Sequence, residues 1–510
     1  MMLGDPQEAR TAGPATARAA SARTRVLILD LNNFSSFPTL AVGLLTASLR
    51  RRGVAVTVLC PLDHGVPASE RERREDWRDH VQRRIHLSTA PGFRATRDAL
   101  RALRHRARHR PDGRVLARVR EALAAGTDAV LLSAYLQHDA TVREIGRLCE
   151  GAGVPLLLGG PMFNLGGVAD AWRDVPGLAA IVGAEADLSA PAMLDALVSG
   201  GDLLRFPGVT LPDGRRSGRA PPLRPLDETP FADFTDFPWE RYPVRIVPMM
   251  TGRGCQWSRC VFCSDIVSAS GRTFRTRSIE HVLLEMEEQA RRHDTRNFLF
   301  LDLKLNSWPD MLRAIAERAP SLVPGAEWIG TVHVDERADN GLSRRDLRAA
   351  VRGGMRRVSF GLESGSQRLL DSMQKGSSVE GNARFIREAH EAGLSVRCTM
   401  FKGFPGETAD DMAATADFLE AHETHLDRVR FNEFSLLEET PIYERMFAAQ
   451  PGAEALTHLR RDRRRARAGY RNPFIEDAPY RREKARALAA VFRINRRPVR
   501  SAARQFDGLM

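Results

Sequence analysis

The chain has 510 residues, 43% of them hydrophobic, and carries 76 lysines and arginines against 64 aspartates and glutamates, a formal charge of +12. That length exceeds one ordinary core, so two or three domains are expected. No apolar run reaches the roughly 20 residues that cross a bilayer, and residues 1–22 lack the apolar centre of a secretory signal, which predicts a cytoplasmic protein with no membrane partner. The positive charge is overwhelmingly arginine scattered on predicted helices such as 68–110 and 459–467, without a nucleic-acid motif, so solvated helix faces account for it and a nucleic-acid partner is not expected.

After the leader, residues 25–30 form a continuous apolar run ending in Asp30, the pattern of a parallel strand buried on both faces. Helical periodicity from 39 to 52 stops at Gly53, and a second strand at 54–59 completes a β-α-β unit. Residues 68–125 read as a basic, helix-rich insertion broken by Pro91, Gly92, Pro111, Asp112 and Gly113. Alternation resumes with strands at 129–133, 155–158 and 179–182 and helices at 140–152 and 190–199. The economical fold for 23–206 is α/β, a Rossmann-like doubly wound parallel sheet. Ligands bind such sheets outside the carboxyl ends of the strands. Here the loops at 30–37, 133–138, 159–164 and 183–187 form that edge, and their glycines admit close approach of a bulky ligand. Residues 207–243, rich in proline and without apolar periodicity, read as a linker.

Alternation starts again at 244, with strands at 245–249, 297–302, 327–334, 357–362, 395–401 and 428–434 and helices at 278–293, 308–318, 343–353, 382–392 and 409–422. Six strand–helix repeats over 244–439 suit a partial (β/α)6 barrel of the TIM type, whose active groups sit at the carboxyl ends of the strands. Asp302, Glu363 and Glu407 fall at that end, as does a loop with Cys255, Cys260 and Cys263. Residues 440–510 read as an arginine-rich, helical C-terminal region covering the open side of the barrel.

Cys60, Cys149 and Cys398 stand singly and read as buried thiols of a reducing compartment. The other three lie within nine residues, close enough for soft sulfur ligands to converge on one metal centre. A structural zinc site wants four ligands, and the nearest histidine, His281, follows on a helix. Three readings stand: a 4Fe-4S cluster with one iron open, a zinc site, and incidental thiols. The last two fit a non-catalytic zinc-binding or RNA-associated protein.

Residues 251–265 resemble the cluster loop of radical S-adenosylmethionine (SAM) enzymes, whose usual spacing is C-x3-C-x2-C with an aromatic before the last cysteine, here Phe262. Four residues, not three, separate Cys255 from Cys260. The segments 360–367, 373–376 and 403–408 are similar to the fourth- and fifth-strand signatures of members related to the methylthiotransferases. The Gly159-Gly160-Pro161 turn and the run 182–187 before a helix resemble the cobalamin-binding domain that precedes the catalytic domain in one subgroup.

This resemblance implies a 4Fe-4S cluster on Cys255, Cys260 and Cys263, with SAM on its open iron. It sets Phe262 against the adenine and Asp302, Glu363, Ser364 and Arg397 around the rest of SAM. It also implies cobalamin contacts at Asn32, Ser133, Tyr135, Gly159, Gly160, Pro161, Gly183 and Glu185. The Asp-x-His-x-x-Gly motif of cobalamin proteins that supply an axial histidine is not matched after the first strand, where Asn32 and Ser35 stand instead, so no protein imidazole is expected on cobalt. Cobalamin held without a histidine, and a vestigial sheet without cofactor, both remain open. The implied chemistry is cleavage of SAM to a 5′-deoxyadenosyl radical, with cobalamin-dependent C-methylation as the first reading and rearrangement or epimerisation as the second. A methylthiotransferase would need three further cysteines in its amino-terminal domain, where only Cys60 and Cys149 occur. The implied partners are a small-molecule or peptide substrate and an external one-electron reductant such as flavodoxin or ferredoxin.

Overall fold

The structure, a computed structural model, describes residues 23–68, 72–108, 110–266, 273–335, 342–447 and 457–509. The first sheet consists of β1 (Arg25–Leu29), β2 (Ala55–Leu59), β3 (Ala129–Ser133), β4 (Leu156–Gly159), β5 (Leu178–Val182) and β6 (Val209–Thr210), in the order β2-β1-β3-β4-β5-β6. Its first five strands are parallel. The apolar runs explain them: Val26, Leu27, Ile28 and Leu29 are all buried, as only a strand covered on both faces requires. β6 runs antiparallel to β5, so the segment read as a linker contributes the edge strand of this sheet.

The second sheet begins with β7 (Val247–Met249). A two-stranded hairpin, β8 (Gly252–Arg253) with β9 (Arg275–Thr276), follows outside it. Then come β10 (Asn297–Phe300), β11 (Glu327–Val332), β12 (Met355–Glu363), β13 (Ser395–Lys402) and β14 (Arg428–Glu433). The order is β14-β13-β12-β11-β10-β7, all parallel, and β14 and β7 remain unjoined edges. The barrel is therefore partial. Its helices start where Ser278, Ser343 and Ser378 each accept a hydrogen bond from the first turn, as N-caps do.

Three distant segments fill the open side. Phe37 from the loop after β1, with Phe506 and Leu509 from the chain's end, packs against Leu299 and Ile329 inside the barrel. Nearer the amino ends of the strands, Arg357, Arg397 and Arg428 are buried together. Arg397 holds Glu72 of the insertion at 2.9 and 2.5 Å, Arg428 holds Asp507 at 3.0 Å, and Arg357 donates to the carbonyls of Phe506 and Leu509 at 3.0 and 3.1 Å. Closure thus comes from the insertion as well as from the C-terminal region.

That region is not wholly helical. Helices Pro441–Phe447 and Ala478–Asn495 are present, but the stretch expected to be helical at 459–467 lies in a three-stranded antiparallel sheet of β15 (Leu436–Leu437), β16 (Thr457–Asp462) and β17 (Arg467–Arg471). Between β16 and β17, Ala466 turns with φ +52° and is buried in the core of the first domain. Arg464 beside it pairs with Asp139 and Asp174, and its carbonyl accepts from the Trp172 indole at 2.9 Å. Docking on the first domain, rather than local charge pattern, decides the conformation. Among the described residues no helix is long and apolar enough to cross a membrane.

Because Phe506 is fully buried against residues from three parts of the chain, Phe506→Ala is expected to cost about 3–5 kcal/mol of stability in chemical denaturation. A loss below about 1 kcal/mol would mean that the tail does not pack the barrel interior.

Candidate active site at the barrel mouth

The cysteine loop is rooted on Asp302, just past β10. Its carboxylate accepts from the Thr251 backbone at 3.0 and 3.2 Å, from the Thr251 hydroxyl at 2.6 Å and from the Gly252 backbone at 2.9 Å. Burial pushes this carboxyl up from its ordinary range, and the bonds to residues 251 and 252 oppose the rise. Asp302 therefore stands as the anchor of the loop, with its bonds spent inside the protein.

The hairpin beside the loop is fastened to the first domain. Arg253 on β8 grips Asp187 with two bonds of 2.8 Å, and Arg275 on β9 pairs with Glu185, which also accepts from the Leu223 backbone at 2.8 Å. Burial works against ionising Asp187, yet the Arg253 charge holds it below the usual carboxylate range. Both acids belong to the loop at the carboxyl end of β5, and Glu185, expected to meet cobalamin, ties the two domains together here. The glycines of this edge serve packing too. A Cβ on Gly183 would lie 2.4 Å from the Asn164 backbone nitrogen, and one on Gly160, at φ +151°, 2.8 Å from the Ala134 carbonyl. Gly159 lies beside Ser133 in the sheet register, and Pro161 opens a short 3-10 helix. Asn32 and Asn33 have buried amide oxygens without a hydrogen-bond partner among the described residues, and Tyr135 nearby is 50% exposed.

Around the cysteines the loop closes on residues 373–376. The Val261 backbone donates to the Met373 carbonyl at 3.1 Å, and the Trp257 indole donates to the Gln374 carbonyl at 2.8 Å. Only glycine fits at 376, where φ is +67° and a Cβ would sit 2.0 Å from the Trp257 ring. Burial pushes Cys260 up to about 11 and Cys263 up to about 12. Lys375 opposes the rise at Cys260, while the neighbouring cysteines add to it at both positions. Among the described residues no group of three or more His, Cys, Asp or Glu side chains could hold a metal ion. A single zinc needs its sulfurs gathered about 2.3 Å from one point. A 4Fe-4S cube instead takes each cysteine on a different iron, which suits three soft donors spread along one loop.

Glu363 ends β12 with φ +63°, a strained backbone for a residue with a side chain, and its carboxylate accepts from Lys375 at 2.8 Å. Ser364 is tied down by Thr415 at 3.1 Å and by the Ser366 backbone at 3.1 Å. Arg397 does not reach the mouth. It is the third residue of β13, five residues or roughly 17 Å below its carboxyl end, and is paired with Glu72. Phe262 joins a nest of rings, with centroids 5.5 Å from Phe401, 6.2 Å from Phe434 and 6.4 Å from Phe404. Lys304 and Asp335, past the ends of β10 and β11, form a 2.7 Å pair with both side chains 0% exposed.

The sequence reading missed Lys375, Arg253 and Arg275. Lys375 lay inside the quoted 373–376 signature; nothing local marked the two arginines, whose partners are about 65 and 90 residues away.

Residues 249–419 match the model of the radical SAM superfamily. This stretch is a radical SAM domain. An uncharacterized methyltransferase of Pyrococcus horikoshii is 28% identical over 279 residues, which are 53% of this chain and 59% of that protein, so the likeness spans little more than half of the relative. The radical SAM methyltransferase TsrM of Kitasatospora setae, solved with cobalamin and a [4Fe-4S] cluster, superposes with a TM-score of 0.60 at 18% identity, over 85% of this chain and 80% of TsrM. The cobalamin-dependent radical enzyme OxsB superposes with a TM-score of 0.64 at 15% identity, over 89% of this chain and 65% of OxsB. The radical SAM domain and the sheet before it thus share an α/β fold with both.

In the loop after β13, Glu407 is buried and accepts from the Gly403 backbone and, at 3.1 Å, from the Tyr480 hydroxyl. Burial raises its pKa from 4.5 to about 7. A raised carboxyl pKa contributes stability that is complete below 4.5 and is lost as pH rises through about 7. Glu407→Gln should therefore flatten the fall in Tm between about pH 5 and about pH 8.5; wild-type and variant curves that run parallel over that window would contradict the assignment.

Proposed function

We propose that this chain is a radical SAM enzyme that holds a 4Fe-4S cluster on Cys255, Cys260 and Cys263, binds cobalamin at the carboxyl edge of the first sheet, and methylates a carbon of a small molecule or peptide. The observation that carries this reading is the fastening of the β5 loop to the cysteine hairpin through Arg253–Asp187 and Arg275–Glu185, which brings the ligand edge of one domain to the mouth of the other. The shared fold with TsrM and OxsB over both domains supports it. When bound, the cluster and SAM supply one-electron cleavage of a carbon–sulfur bond, and cobalamin supplies a transferable methyl group.

The chain's own residues have distinct tasks in this scheme. Glu363 would accept from the ribose hydroxyls of SAM, while Phe262 and its neighbouring rings provide an apolar wall that keeps water from the reaction. Asn32, in the loop after β1, would stand on the edge that meets the corrin. No imidazole is assigned to cobalt. Electrons come from an external carrier such as flavodoxin or ferredoxin.

Anaerobic reconstitution tests the reading, with about four irons and four sulfides expected per chain, falling sharply in Cys255→Ala, Cys260→Ala and Cys263→Ala. One zinc and no iron would refute it. Cobalamin added to the same protein should bind and co-elute with it, read by its absorption spectrum; failure to bind would remove the methylation arm and leave cobalamin-free radical chemistry.

A further inference from the structure

Lys375 is a cation buried beside the cysteine loop, and its use deepens the cluster reading on which it rests. Its residue is 7% exposed, and its Nζ sits 2.8 Å from Glu363 Oε1. Its backbone is held as tightly as its head. The flanking carbonyls of Met373 and Gln374 accept from the cysteine loop, the Lys375 carbonyl lies 3.1 Å from His333 Nε2, and Gly376 is pressed on the Trp257 ring. Movement of either the loop or the lysine must carry the other with it.

An ion pair serving only as a staple has no need to be buried here, because burying an ammonium is costly and an apolar contact would hold the loop as well. The Lys375 ammonium feels both Cys260 and Cys263 and opposes the rise at Cys260, where Glu363 and Cys255 act the other way. A cube on three thiolates bears net negative charge, which grows by one when an electron is added. In a site shielded from water, a fixed cation alongside lowers the free energy of the reduced state.

We propose that Lys375 is a positioning residue whose charge, clamped between the cysteine loop and Glu363, raises the reduction potential of the cluster. The step is the passage of one electron from the external one-electron carrier to the cluster; the carrier is oxidised by one electron, the cluster is reduced by one, and no proton moves because the lysine is already charged. Glu363 acts in the opposite sense, and its own charge limits the rise.

An EPR-monitored redox titration of the reconstituted full chain without SAM tests this, with iron and sulfide counted on every sample. Lys375→Met is expected to lower the ratio of reduced to oxidised cluster at a fixed poise about tenfold, a shift of ~59 mV to more negative potential for a one-electron couple. Lys375→Arg should stay near wild type, and Glu363→Gln should shift to more positive potential. Full iron content with unmoved midpoints in Lys375→Met and Glu363→Gln overturns the proposal. If Lys375→Met fails to retain iron, Glu363→Gln decides by itself, and an unmoved midpoint there overturns it equally. A wild-type chain that takes up no iron fails the cluster reading instead, which separates the two outcomes.

Discussion

Two arginines on one short hairpin set the relation between the halves of this molecule. Arg253 and Arg275 reach across to Asp187 and Glu185, and the grip at Asp187 is bidentate and largely shielded from water. Removing one member of such a buried pair leaves an uncompensated charge and costs about 3–5 kcal/mol, so the hairpin and the β5 loop behave as one body. The cysteines are strung between the strands of that hairpin. Their placement therefore depends on a contact between domains as much as on the barrel that carries them.

The same economy recurs at the other end of the barrel. Six parallel strands leave an open side, and buried arginines on β12, β13 and β14 line its floor. Their counter-charges come from elsewhere, Glu72 from the insertion and Asp507 from the end of the chain. A buried guanidinium is tolerable only when its donors are met. The floor thus forms only when all three parts of the chain are assembled, which makes the insertion and the tail integral to the barrel rather than appendages to it.

At the mouth, the residues sort by what they bind within the protein. Asp302, Ser364 and Arg397 have partners that account for them structurally. Glu363 differs, because a positive φ at a glutamate is a conformation the surroundings must enforce, and a lysine waits beside it. Glu363 and Lys375 form a buried pair beside the cysteine loop, which Trp257 and Val261 tie to residues 373 and 374 and whose Phe262 joins the phenylalanine nest.

Much of this was legible in the chain itself. Continuous apolar runs such as 25–29 can satisfy their backbone only in a buried parallel sheet, and periodic helices with serine caps mark the crossovers, so two α/β units and the position of the cysteine loop followed from local chemistry. Tertiary structure alone decided that residues 457–462 and 467–471 form strands, because pairing with β15 and docking on the first domain override the helical preference of an arginine-rich stretch. It also decided that Arg397 pairs with Glu72, that Glu185 ties domains, and that Lys375 stands at the cysteines. Charges find their partners through space, and the spacing of residues along a chain records which elements form but not which distant side chains those elements bring face to face.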